Sequence, residues 1–125
     1  MEKVTGIGGV FFRAANPQAL SEWYLAHLGI DPVPSSEAQR PWVQEAGPTV
    51  FAPFEQNTDY FGRETQSWMI NFRVRDLTRM VAQLREAGIE VSMVDEDLSI
   101  GRFARLHDPE GNPIELWEPS QRRGG

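Results

Sequence analysis

The chain contains no cysteine among its 125 residues. This excludes a disulfide framework, a thiolate nucleophile and a cysteine-ligated metal site, and it fits a cytoplasmic protein. Histidine is also scarce, with only His27 and His107. We interpret His27 as a cation near a helix end. His107 precedes a turn, and a functional role for it stays open beside a purely structural one.

Long apolar runs are missing as well. No stretch approaches the roughly 20 apolar residues of a membrane-spanning helix, and the N-terminus lacks the apolar core of a signal peptide. Basic residues are fewer than acidic ones, 12 against 18, for a formal net charge of −6. We therefore expect no membrane and no nucleic acid as partner, because phosphate binding favours a basic surface.

What the chain does contain is an internal repeat. Phe12 and Phe72 lie 60 residues apart, each in a strand-like segment that is followed by a helical pattern. The first helix is predicted from Pro17 to about Leu28, and the second begins after Asp76. A unit of this length cannot bury its apolar face alone, whereas two units together can.

We predict one domain over residues 4–119, built of repeats at about 4–56 and 66–119, with a flexible tail at 120–125. Each repeat reads as a strand, a helix and further strands. In the first repeat we expect strands at 4–13, 42–46 and 49–54. In the second we expect them at 67–74, 89–94, 101–107 and 113–118, with an acidic loop at 95–99. The fold class is α+β: two βαβββ modules forming a cup-shaped antiparallel mixed sheet, with the helices on its outer face.

The second repeat closes with Asp108-Pro109-Glu110-Gly111, a type I turn, followed by Asn112-Pro113-Ile114-Glu115-Leu116. Together with the repeat, this motif resembles the vicinal oxygen chelate superfamily, which includes glyoxalase I, bleomycin-resistance proteins and extradiol dioxygenases. The resemblance implies a ligand inside the cup. It also implies a divalent metal in the enzymes, held from equivalent strands of the two halves.

The metal positions implied by the resemblance are mostly unsuited to a metal in this chain. They fall on Gly9, Met69 and Glu115, with a fourth near Thr49 or Val50. Only Glu115 offers a carboxylate, and a lone carboxylate holds a divalent ion weakly. We therefore expect no cofactor, and keep a divalent metal as the alternative.

Strand alternation predicts which side chains line the cup. Val10, Phe12, Phe72, Ile114 and Leu116 should face the helices, so that their neighbours face the ligand. The resulting candidate ligand-binding residues are Phe11, Arg13, Phe54, Tyr60, Asn71, Arg73, Phe103, Arg105 and Trp117. Glu115 is the candidate catalytic base, and His107 is a second candidate for that role.

Structural roles remain open for these residues. Glu115 could pair with Arg73 or Arg105, the aromatic residues could be core filling, and Tyr60 could be a lid, a dimer anchor or simply packed on its own domain.

Four functions follow from these features. The first is a metal-free protein that binds an aromatic or planar small molecule, as bleomycin-resistance proteins do. The second is an enzyme that uses Glu115 as a general base. The third is a lyase, isomerase or dioxygenase with an unusual metal site. The fourth is an interaction domain whose cup is filled by its own side chains. We also expect a homodimer.

Overall fold

The computed structural model describes residues 1–94 and 99–120. The two helices are α1, Pro17–Leu28, and α2, Leu77–Glu86. The strands are β1, Ile70–Arg73; β2, Ser92–Met93; β3, Gly101–His107; and β4, Pro113–Pro119. They form one sheet in the order β1-β4-β3-β2, with β1 parallel to β4 and the other pairs antiparallel. This confirms the α+β class.

Both helices begin and end where the sequence predicts. The Asn16 side chain accepts from the N–H of Ala19, and Pro17 occupies the first turn of α1. Gly29 ends α1 in the left-handed region at φ 72°, which glycine adopts without steric cost. Asp76 caps α2 through the N–H of Arg79. The caps are local interactions, which explains their predictability.

One apolar core joins the two helices to one face of the sheet. Its buried residues are Leu20 and Tyr24 of α1, Leu77, Val81 and Leu84 of α2, Val91 just before β2, Ala104 and Leu106 of β3, and Ile114 and Leu116 of β4. Phe72 packs against this core from β1. The helix of the first repeat is therefore buried on the strands of the second.

The strands predicted for the first repeat are absent from the structure. Segments 4–13, 42–46 and 49–54 are neither helix nor strand. Val10 and Phe12, predicted to lie in the core, are exposed. The prediction was wrong because a strand needs a hydrogen-bonded neighbour, and these segments make no ladder within the chain. The acidic loop lies largely outside the described residues, as does the tail beyond Ser120.

The closing turn fastens α1 to the sheet. Asp108 is only 4% exposed, and its Oδ2 accepts from the Tyr24 hydroxyl at 2.7 Å and from the Asn112 amide at 2.8 Å. Its Oδ1 accepts from the backbone N–H groups of Glu110 and Asn112. The Glu110 carboxylate in turn accepts from the N–H of Ala15, just before α1, at 2.7 Å. The motif that carried the resemblance is therefore a structural connection between the two repeats.

None of the helices among the described residues is long and apolar enough to cross a bilayer.

We predict that Asp108→Asn lowers the free energy of unfolding by about 2–4 kcal/mol, because an amide cannot replace a buried carboxylate that accepts four hydrogen bonds. Urea unfolding measures this change. Asp31→Asn, at an exposed position, is the control and should stay within about 0.5 kcal/mol of the parent. Equal midpoints for the two variants would contradict the role of Asp108.

We also predict a loss of stability at alkaline pH through Tyr24. Burial raises the pKa of the Tyr24 hydroxyl, and the hydrogen bond and negative charge of Asp108 raise it further. Because the folded-state pKa exceeds the unfolded one, this contribution is complete below about pH 10 and is lost as the pH rises above it. Urea midpoints measured across this range should fall more steeply for the parent than for Tyr24→Phe. If the urea midpoints of the parent and of Tyr24→Phe fell equally steeply with pH, ionisation of Tyr24 would not be the cause of the loss.

Candidate functional site

The sheet face opposite the helices carries the predicted site residues. Leu106, Ile114 and Leu116 point into the core, so their strand neighbours point away from it. We call this side the cup face; it consists of Asn71, Arg73, Phe103, Arg105, His107, Glu115 and Trp117. The alternation predicted for β1, β3 and β4 is confirmed.

Glu115 is held at the centre of the cup face by two donors. It lies on β4, between β1 and β3, and is 9% exposed. The Asn71 amide, its register neighbour on β1, donates to Oε1 at 2.7 Å. The Tyr60 hydroxyl donates to Oε2. The alternative in which Glu115 pairs with Arg73 or Arg105 is not the one seen: neither arginine forms a salt bridge with it in the described part of the chain.

Tyr60 reaches this carboxylate from the connection between the repeats, 55 residues earlier. The Arg105 guanidinium lies over its ring, with Cζ 4.4 Å from the ring centroid, and donates to the Tyr60 carbonyl at 2.7 Å. Phe54 stacks on the same ring at 5.8 Å and 26°. Phe61 packs against Phe54 at 5.1 Å. The connecting segment thus places an aromatic cluster directly on Glu115 and Arg105.

A second aromatic pair lies beside Glu115 on the same face. Phe103 and Trp117 are register neighbours on β3 and β4, with nearly parallel rings 6.3 Å apart. The Trp117 indole N–H donates to the carbonyl of Ile100 at 2.9 Å, which fixes the ring. The backbone at Gly101 passes so close that an added Cβ would lie 2.7 Å from Trp117 Nε1. Only glycine fits there without displacing the indole.

A cavity of about 580 Å³ opens next to Tyr60. Its lining includes Tyr60, Arg105 and His107, together with Asp59 and Glu90. The volume is within the range of small-molecule sites, about 300–1,000 Å³. Glu115 is not among the described lining residues, whereas Tyr60, whose hydroxyl donates to it, is one of them. His107 lines the cavity as well.

Three predicted site residues lie apart from this cluster. Arg73 donates to the backbone carbonyl of Glu45 at 3.1 Å and lies so close to Gly47 that an added Cβ would lie 1.7 Å from its guanidinium. Phe11 is 93% exposed, and Arg13 is exposed as well. Their roles in binding stay predictions.

At the positions that the resemblance assigns to metal ligands, this chain has either no side chain or a side chain with other contacts. Gly9 has no side chain, and the Met69 sulfur lies 3.7 Å from the Arg105 guanidinium, next to a positive charge. Both Glu115 oxygens accept hydrogen bonds from the protein. Among the described residues, no three His, Asp or Glu side chains come together as a metal-binding group.

The sequence predicted which strand residues share the cup face but not how they are joined. The Tyr60–Glu115 and Arg105–Tyr60 contacts each span a connection without regular structure, for which no periodic pattern predicts the geometry. The Asn71–Glu115 bond could have been found, since the repeat places 70–73 beside the last strand.

Comparison with known proteins agrees with this architecture. The family model of the glyoxalase-like domain matches residues 9–117. Among curated proteins, none matches the chain.

Three solved structures share the fold. The antibiotic-binding protein TnmS3 from Streptomyces sp. CB03234 is 21% identical, with a TM-score of 0.62 over 96% of this chain and 100% of that one. A protein from the mobile metagenome of V. Pseudocholerae is 19% identical, with a TM-score of 0.62 over 97% and 99% of the two chains. A glyoxalase family protein from Bacillus anthracis is 19% identical, with a TM-score of 0.52 over 82% and 84%.

The match extends over most of the chain and agrees with the superfamily that the closing motif indicated. The chain therefore belongs to the glyoxalase-like domain family.

Proposed function

We propose that the protein binds an aromatic or planar small molecule on the cup face, without a metal. The observation that carries this proposal is the convergence of two aromatic groups on one buried carboxylate. Tyr60 and Phe54 approach Glu115 from one side, while Phe103 and Trp117 lie beside it on the sheet. Aromatic walls with a few placed polar groups are typical of small-molecule sites.

The cup face can hold a planar ring by stacking and by charge. Aromatic pairs contribute about 0.5–1.5 kcal/mol beyond the area they bury. A guanidinium over a ring contributes about 0.5–2 kcal/mol, depending on its exposure to water. Arg105 makes this contact with Tyr60, which shows that its guanidinium can stack on an aromatic ring. A ligand ring in the place of the Tyr60 ring would make the same contact. That the similar protein TnmS3 is an antibiotic-binding protein supports a binding function of this kind.

We infer that the family-type metal site has been lost. A catalytic zinc ion usually takes three protein ligands, whereas the positions here offer glycine, a thioether beside a guanidinium, and one carboxylate already bonded to two donors. These residues do not fit such a metal, and we derive no chemistry through it.

An enzyme that uses Glu115 as a general base is the alternative function. A base must have an oxygen within hydrogen-bond reach of the proton it removes. Both Glu115 oxygens are engaged by Asn71 and Tyr60, so a substrate would first have to displace one of these donors.

We further propose that the partner of this chain is a second copy, in the cytoplasm. Large apolar side chains are exposed along the first repeat, including Phe11 at 93% and Phe51 at 85%, and monomeric proteins rarely leave such patches uncovered. The second repeat supports the pairing, because β1, the counterpart of segment 4–13, pairs in parallel with β4. Corresponding pairing of segments 4–13 and 49–54 between two chains would cover these side chains and bring Phe11 and Arg13 to a cup.

A lack of cysteine supports the cytoplasmic location.

We predict that Arg105→Ala weakens the binding of neutral two- and three-ring aromatic compounds by about tenfold, because the stacked guanidinium is removed. Isothermal titration calorimetry measures the affinity. Arg79→Ala removes the same charge from an exposed position on α2 and is the matched control. Binding by neither the parent nor the control would contradict the proposed function.

We predict a solution mass of twice 14.2 kDa for the parent in size-exclusion chromatography with light scattering. Phe11→Asp combined with Phe51→Asp should shift the protein to the monomer mass, because buried unpaired carboxylates oppose pairing. Leu25→Asp, on the exposed side of α1, should remain dimeric. A monomeric parent at every concentration would overturn the homodimer.

A further inference from the structure

Tyr60 makes the contacts that a phenolic ligand would make at this site. Its hydroxyl donates to Glu115, its ring lies under the Arg105 guanidinium, and Phe54 stacks on it. Asn71 holds the other oxygen of the carboxylate. A planar ring with a hydroxyl group therefore already fits this pocket, and the chain supplies it from a residue outside the sheet.

The segment that carries Tyr60 is suited to moving away from the cup face. Residues 55–69 contain no helix or strand. Their backbone hydrogen bonds are short-range turns, such as Thr58 N–H to Glu55 O and Gly62 N–H to Asp59 O. Three hydrogen bonds join this segment to the cup-face carboxylate and guanidinium; two involve Tyr60, and the third is from Arg105 to the Met69 sulfur. Irregular segments with short-range backbone hydrogen bonds open at lower free-energy cost than packed helices and strands.

The cavity next to Tyr60 provides the route of entry. Tyr60 and Arg105 belong to its wall, and the Tyr60 hydroxyl donates to Glu115. A ligand in the cavity is therefore already in contact with the guanidinium. Moving the Tyr60 ring aside would join the cavity to the carboxylate.

We infer that Tyr60 holds the place of a phenolic ring of the ligand. The bound molecule replaces the Tyr60 side chain, donates its hydroxyl to Glu115 and stacks against Arg105. This inference rests on the proposed binding function and narrows its ligand to planar aromatics that carry a phenolic hydroxyl.

The charges around the site favour this class over other polar aromatics. In the place of the Tyr60 hydroxyl, an anionic group would face the Glu115 carboxylate; in the place of the Tyr60 ring, a cationic ring would face the Arg105 guanidinium. A neutral hydroxyl donor avoids both repulsions. It also leaves the buried carboxylate paired throughout the exchange, which matters because an unsatisfied buried charge is costly.

The test compares 2-naphthol with 2-methoxynaphthalene, which keeps the rings but cannot donate a hydrogen bond. Calorimetric titration of the parent should give at least about tenfold tighter binding of the naphthol. Tyr60→Phe should strengthen naphthol binding severalfold, because the competing hydroxyl is gone while the ring remains. Glu115→Gln should reduce the preference for the naphthol to within about threefold. Tyr24→Phe removes the other tyrosine hydroxyl, which bonds Asp108 away from the cup face, and should change neither affinity.

The outcomes separate this inference from the proposed function. If neither compound binds, the aromatic-binding function itself fails. If both bind equally well to the parent, or if Glu115→Gln keeps the full preference, the function stands and the phenolic ligand class is overturned. Weaker naphthol binding by Tyr60→Phe would show that Tyr60 is part of the binding wall and not a placeholder. Should Glu115→Gln fail to fold, the parent and Tyr60→Phe titrations decide the question.

Discussion

The buried Asp108 carboxylate is the constraint on which the remaining structure depends. It accepts hydrogen bonds from α1, from its own turn and from Asn112, which leads into β4. These bonds fix the helix of the first repeat on the sheet of the second and set the start of the strand that carries Glu115. A carboxylate satisfied in this way is stabilising, whereas the loss of any donor leaves a buried charge partly unpaired. The turn of the family motif therefore fixes the architecture, whereas Glu115, later in the same motif, lies on the sheet face away from the helices.

On that face, Tyr60 occupies the place that we propose for the ligand. Glu115 sits on a central strand, where water is largely excluded, and such a group needs partners. Asn71 supplies one from the neighbouring strand, and Tyr60 supplies the other from a turn-rich connection. The first partner is fixed by the sheet, while the second depends on a segment with short-range hydrogen bonds of its own. We propose that this difference allows a ligand to replace Tyr60 without disturbing Asn71.

Features that depend on neighbouring residues in the sequence were predicted, whereas features that depend on contacts between distant segments were not. Helix limits at Asn16 and Gly29 were predicted because caps are local, and the facing of Arg105 and Glu115 was predicted because strand alternation is geometric. The strands of the first repeat were not, since a strand exists only with its neighbour, and segment 4–13 has none in this chain. The partner of Glu115 was also missed. Pairing with an arginine was one alternative, but Arg105 contacts Tyr60, whose position depends on an irregular connection.

A crystal structure of the protein with 2-naphthol bound tests the central claim most directly. The account predicts the naphthol ring against the Arg105 guanidinium, its hydroxyl within hydrogen-bond distance of Glu115, and the Tyr60 side chain moved out of that position. A naphthol bound elsewhere, with Tyr60 still on Glu115, would contradict it. So would a metal ion held by Glu115 and other side chains on the cup face.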